Sequence, residues 1–140
     1  MKNIVFIITV ILVFMSCSIK PSFISNIETY GYVDLQDFIK DEFDYLLIVD
    51  EGNYISDIIP NINNDRDFWL GQKIYFVKND FIVKQINIEY YVSKPEMDYI
   101  SFFFEHNIKE NYIKRYRGDT VFKCIEIQSI SGGFKCYYLE

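Results

Sequence analysis

The sequence predicts one small single domain of the α+β class, an antiparallel sheet packed against about two main helices. Three observations carry this. The chain has 140 residues, enough for one domain and not two. Two apolar runs flank Asn79-Asp80, a dipeptide that tolerates the positive φ of a tight hairpin turn. Ser93-Lys94-Pro95-Glu96 has capping-box spacing, and Met97, Ile100, Phe104, Ile108, Tyr112 and Tyr116 follow at steps of three or four.

Taken in chain order, residues 1–16 are set apart as a targeting segment. Lys2 precedes Ile4 to Met15, a run that is apolar except for Thr9. As a helix it is about 18 Å long, short of the roughly 20 apolar residues that cross a bilayer, so it fits the apolar core of an export signal. Residues 17–29, with Pro21 and several small polar side chains, read as a tether, and residues 30–140 as the domain.

Within the domain, Asp34 caps a helical pattern whose apolar face is Leu35, Phe38, Ile39 and Phe43. Tyr45 to Val49 is a short buried strand, and Glu51-Gly52-Asn53 breaks it. A turn and a half of helix at Tyr54–Ile59 is closed by Pro60. The hairpin arms are Lys73–Lys78 and Phe81–Val92. In the second arm Ile82, Ile86, Ile88, Tyr90 and Val92 share one face, on which Lys84 must snorkel or sit at the rim. A helix from Lys94 to about Tyr116 follows, with a strand through Tyr99–Glu105 as the competing reading. Strands at Thr120–Gln128 and Phe134–Leu139, joined by a turn containing Gly132-Gly133, end the chain.

Composition removes several function classes. A net charge of -6 offers no broad basic surface to phosphates, so no nucleic-acid partner is expected. A single His excludes a two- or three-His metal site, and no metal or other cofactor is expected. No G-x-S-x-G, phosphate-binding glycine loop or spaced Cys/His set occurs, and His106 has only Glu105 beside it in sequence, so the protein is not expected to be an enzyme. The absence of Ala and the excess of Ile, Asn, Lys, Tyr and Phe match nucleotide bias. The 19% aromatic content therefore reads as core, not as a sugar-binding surface.

The end of the leader carries a resemblance. Phe14-Met15-Ser16-Cys17 resembles the lipobox of bacterial lipoproteins, with Phe14 where Leu is usual. The resemblance implies diacylglyceryl transfer to the Cys17 thiol, cleavage after Ser16 and acylation of the new amino end. Several acyl chains anchor stably where one holds marginally. It also implies a location on the outer face of the cytoplasmic membrane or in the outer membrane. Cleavage removes Lys2 and no acid, taking the net charge from -6 to -7. An acidic body should be held off an anionic surface, leaving the lipid as the anchor. Phe43 to Val49 and Lys73 to Lys78 are also similar to segments of small bacterial lipoproteins of unknown activity, a similarity that supplies no functional motif.

Three clusters remain as candidate sites. Pairing Gln128 with Gly132 would set Cys124 opposite Cys136, within reach of a disulfide in an exported domain. The competing reading is two buried thiols, and a parity shift between Cys124 and Ile125 suggests a bulge. Asn61, Asn63, Asp65 and Asp67 alternate like calcium ligands, but Arg66 and Gln72 stand where the loop needs Gly and Glu, so no metal site is expected. Asp34, Asp37, Asp41, Glu42 and Asp44 form an acidic run, with Lys109, Lys114, Arg115, Arg117 and Lys123 as an opposite pole. The expected function is a lipid-anchored, non-enzymatic interaction domain of the cell envelope, meeting the membrane through lipid at Cys17 and an envelope protein through its surface. The alternative is a small-ligand-binding lipoprotein with a pocket between sheet and helix.

Overall fold

The computed structural model describes residues 19–62, 71–89, 98–104 and 111–140. Among them the fold is β-rich, with eight strands in two four-stranded sheets. The expected α+β arrangement with two main helices is corrected on this point. The strands are β1 (Tyr32–Asp34), β2 (Tyr45–Val49), β3 (Gly71–Lys78), β4 (Phe81–Glu89), β5 (Tyr99–Phe102), β6 (Tyr112–Tyr116), β7 (Val121–Ser129) and β8 (Lys135–Leu139). Sheet I has the order β1-β7-β8-β5, and sheet II the order β4-β3-β2-β6. All pairs are antiparallel except β5 with β8.

Among the described residues helix is confined to α1 (Ile19–Tyr30), the single turn α2 (Ile55–Ile58) and two 3-10 turns, Leu35–Phe38 and Ser131–Gly133. The helix expected over residues 94–116 is replaced by β5 and β6, so the competing strand reading holds at Tyr99–Phe102; residues 94–97 and 105–110 of that span lie outside the described residues. The reason is arithmetic. Steps of four are even, so Ile100, Phe104, Ile108, Tyr112 and Tyr116 share a face of a strand as readily as a face of a helix. Aromatic and β-branched content then favours the strand.

The helix expected after Asp34 shrinks to one 3-10 turn. Its cap forms: the Asp34 carboxylate accepts from the Gln36 N–H at 3.0 Å and from the Thr120 hydroxyl at 2.5 Å. The Leu35 N–H donates to the Thr120 carbonyl at 3.0 Å. Ile39 is already extended, and the chain runs on toward β2 with Leu35, Ile39 and Phe43 buried as expected.

The two sheets face each other across one core. Val33, Phe122, Tyr137, Leu139, Ile100 and Phe102 come from sheet I, and Leu46, Ile48, Ile74, Phe76, Ile86 and Ile88 from sheet II. A second cluster, Leu47, Val49, Tyr75 and Val77 with Ile55 and Ile62, covers the outer face of sheet II under α2. The β3–β4 hairpin turns at Asn79 and Asp80, both at positive φ. A bulge opposite Phe76 and Val77 makes Val83 the extra residue, so Ile82 joins the outer cluster while Lys84, Ile86 and Ile88 face the inner one. Lys84 does snorkel: its Nζ donates to the Phe38 carbonyl.

The segment read as a tether is largely α1. Phe23 and Ile27, one turn apart, are buried in the main core. Phe23 meets Phe38 edge-on with ring centroids 4.3 Å apart. Pro21 sits in the first turn, where its missing N–H costs no helical bond. Glu28 then accepts from the buried Tyr137 hydroxyl at 2.6 Å and lies 3.5 Å from Lys135 Nζ. The helix is docked on the domain.

Candidate functional site

The clearest surface feature is β7. β1 pairs with it only over Val121–Lys123, and the Cys124 N–H adds one bond to the Gly31 carbonyl at 2.8 Å. From Ile125 to Ser129 it is bonded to β8 on one side, and among the described residues no strand lies on the other. The cause is local. Gly31, at φ +77, ends α1 and lets the chain enter β1 only at Tyr32, too late to cover the rest of β7.

The bulge decides which backbone groups the open edge offers. Lys123 exchanges two bonds with Glu140, and the Ile130 N–H donates to the Phe134 carbonyl at 2.9 Å. Between them Ile125 is the extra residue. Antiparallel alternation around it directs Gln128 toward β8 and the N–H groups of Ile127 and Ser129 toward the open edge. Ile125 and Ile127 are 48% and 55% exposed. Ile127, opposite Tyr137, lies at the exposed rim of the core-facing side, while Tyr32, Val121 and Lys123 lie on the outer face, and Tyr30 contacts Tyr32 at 5.9 Å between centroids. An edge strand with exposed apolar side chains is a ready template for an added strand.

The cysteines are not brought together. The register places Cys124 opposite Leu139, facing the core, and Cys136 opposite Gln128, on the other face of sheet I. Both are thiols, and the expected disulfide is corrected. The register differs because Ser129, not Gln128, begins the connection and pairs with Lys135, around a turn with Gly132 and Gly133 both at positive φ. Burial pushes the Cys124 thiol up, away from thiolate reactivity.

The charged poles are also rearranged. Acidic and basic residues interleave where β2 starts. Lys78 pairs with Glu42 at 2.6 Å, the Asp44 carboxylate accepts from the Asn79 N–H at 2.8 Å, and the Arg117 N–H donates to the Asp44 carbonyl at 3.1 Å. Lys78, with the charge of Arg117 behind it, holds the Glu42 carboxyl below its ordinary value. Lys114 lies 4.0 Å from the Tyr45 ring centroid and 5.2 Å from that of Tyr116. Burial, aided by a hydrogen bond to Asp80, pushes the Tyr45 hydroxyl up to about 12. These contacts hold a corner of the fold together and do not form two opposed patches.

Cys17, His106, Lys109 and the loop residues Asn63, Asp65 and Asp67 lie outside the described residues. Gln72, the residue that departs from the calcium pattern, has a structural role that sequence reading missed. Its amide donates to the Phe102 carbonyl at 2.9 Å and accepts from the Phe102 N–H at 2.7 Å, acting as a strand partner for β5 across the two sheets. Among the described residues no three His, Cys, Asp or Glu side chains converge as a metal site, and no helix is long and apolar enough to cross a membrane.

Fold and surface together define a two-sheet β domain with one sheet doubly covered and an open strand edge on the other. No family model, curated protein or solved structure matches the chain.

Proposed function

We propose that this protein is an exported, lipid-anchored interaction domain of the bacterial envelope, which receives an extended segment of a protein partner along the open edge of β7. The observation that carries the interaction is that edge, where the Ile127 and Ser129 N–H groups are directed outward on a strand whose Ile125 and Ile127 side chains are exposed. Main-chain bonds supply affinity in strand addition, and alternate side chains supply specificity. The anchor rests on Lys2, the apolar run Ile4–Met15 and Cys17 after Ser16. The seam between α1 and sheet I is filled by Phe23, Ile27 and Tyr137.

Two measurements test the two parts. Intact mass of the protein purified from its native membranes should equal residues 17–140 plus diacylglyceryl and acyl groups; a cleaved, unmodified mass removes the anchor. A photoreactive residue at Ile127 should give one discrete protein adduct in intact cells. The same residue at Phe81, on the other sheet, should not. Equal labelling at both positions removes the β7 reading.

A further inference from the structure

We propose that the domain stands directly on the bilayer, with the rim formed by the Leu35–Phe38 turn and the first half of β4 lowermost and the exposed Phe81 and Val83 side chains at the lipid interface. This rests on acylation of Cys17. Only Ser18 separates Cys17 from Ile19, so covalent geometry holds the Cys17 Cα within about 7 Å of the start of α1. A tether of a dozen flexible residues would let the domain drift, but α1 is not a tether. Phe23 and Ile27 are sunk in the core, and Glu28 is bonded to Tyr137 and Lys135. An anchor at one end of a docked helix sets which part of the surface meets the membrane.

The neighbours of the entering helix identify that part. Phe23 packs on Phe38 at 4.3 Å, and the Phe38 carbonyl takes the Lys84 ammonium. Lys84 is three residues from Phe81 along an edge strand. The first half of that strand carries two exposed apolar side chains, Phe81 at 65% and Val83 at 36% exposure. Aromatic side chains settle at the lipid headgroup level, and long cationic ones reach toward it. Local charge does not oppose the contact. Asp37, Asp41, Glu42, Asp44 and Asp80 lie in or next to this rim with Lys40, Lys78, Lys84 and Arg117 among them. Glu42 is paired with Lys78, and Asp44 and Asp80 are hydrogen-bonded at the β3–β4 turn, so the excess acid of the whole chain is not concentrated here. The expectation that the acidic body is held off the membrane therefore gives way to a close-standing one.

The test uses the full-length protein isolated from bacterial membranes, its acylation established by intact mass, and reconstituted in phosphatidylethanolamine–phosphatidylglycerol vesicles containing lipid brominated high in the acyl chain. Phe81→Trp and Tyr30→Trp are each read after subtraction of the Trp69 signal of the unsubstituted protein. Both positions are 65% exposed, and Tyr30 is at the far end of α1. We expect Phe81→Trp emission to shift to the blue and fall at least about two-fold with brominated lipid, and Tyr30→Trp emission to stay unchanged. A flexible Gly-Ser insertion between Ser18 and Ile19 should abolish the quenching. An acylated protein with no quenching at position 81, equal quenching at both positions, or quenching that survives the insertion overturns the rim while leaving the anchor intact. An unmodified mass overturns both.

Discussion

The two sheets share one core and differ in everything outside it. Sheet II is buried on both faces: inward by Leu46, Ile48, Ile74 and Phe76, outward by Leu47, Val49, Tyr75 and Val77 under α2. Sheet I is buried on its inner face, and β7 shows solvent Val121, Ile125 and Ile127 along an edge that β1 covers only in part. A continuous apolar run such as Tyr45–Val49 has no face left to offer and serves stability. A strand left open keeps side chains and backbone groups available. Stability and recognition are thereby divided between the sheets, and that division can be tested by substitution.

The largest effect is expected in sheet II. Leu46→Ala removes a fully buried side chain from the shared core and should cost about 2–5 kcal/mol, read as a fall in the denaturant midpoint. Ile125→Ala on sheet I should stay within about 0.5 kcal/mol. Similar losses at both positions would mean that β7 is packed in a way its exposure does not suggest.

Next in size is the bond between the sheets. Gln72→Ala strips the Phe102 N–H and carbonyl of their buried partner, at a cost of about 2–4 kcal/mol for two unsatisfied groups. Hydrogen exchange should show β5 opening while β2 and β3 keep their protection. Uniform loss of protection would make Gln72 an ordinary core residue.

Tyr137→Phe probes the docking of α1 on sheet I and should destabilise less than either. The Tyr137 hydroxyl, with Lys135 adding its charge, holds Glu28 below its ordinary value of 4.5. A depressed carboxyl stabilises the fold fully above its unfolded value and loses that contribution as pH falls through the lower folded value. The melting-temperature gap between wild type and Tyr137→Phe should therefore be present at neutral pH and narrow below about 4.5. A gap that is flat with pH would detach Glu28 from the effect.

What could be read from sequence follows from how local each signal was. Asn79-Asp80 specified its turn, Pro60 closed α2, and Tyr45–Val49 declared a buried strand, because each depends on neighbours a few residues away. The span 94–116 was misread because an even apolar spacing serves helix and strand alike. Residues 17–29 looked like a tether because the partners that dock the helix are distant in sequence: Phe38, fifteen residues beyond Phe23, and Tyr137, which bonds Glu28. Gln72 meets Phe102 thirty residues away, and no local pattern marks such a pair. The Cys124–Cys136 pairing failed by a turn length and one bulge. That same parity shift at Ile125 was the one sequence signal of the open edge.

A small stability effect is joined to the largest expected functional one at Ile127. Proline at an edge strand is tolerated where the lost N–H faces away from the sheet. Ile127 is such a position, and Gln128, bonded toward β8, is not. Ile127→Pro should therefore change stability by about 1 kcal/mol or less, while Gln128→Pro, one residue on, breaks a ladder bond and should cost clearly more. With a photoreactive residue placed at the exposed Val121 of the same strand, Ile127→Pro should also abolish partner labelling, because it removes a main-chain donor and props the approaching strand away. If labelling survives Ile127→Pro and is lost in Ile125→Ser, the partner reads the apolar face of sheet I and not its backbone edge. The two sheets would then still divide stability from recognition, but recognition would belong to side chains alone.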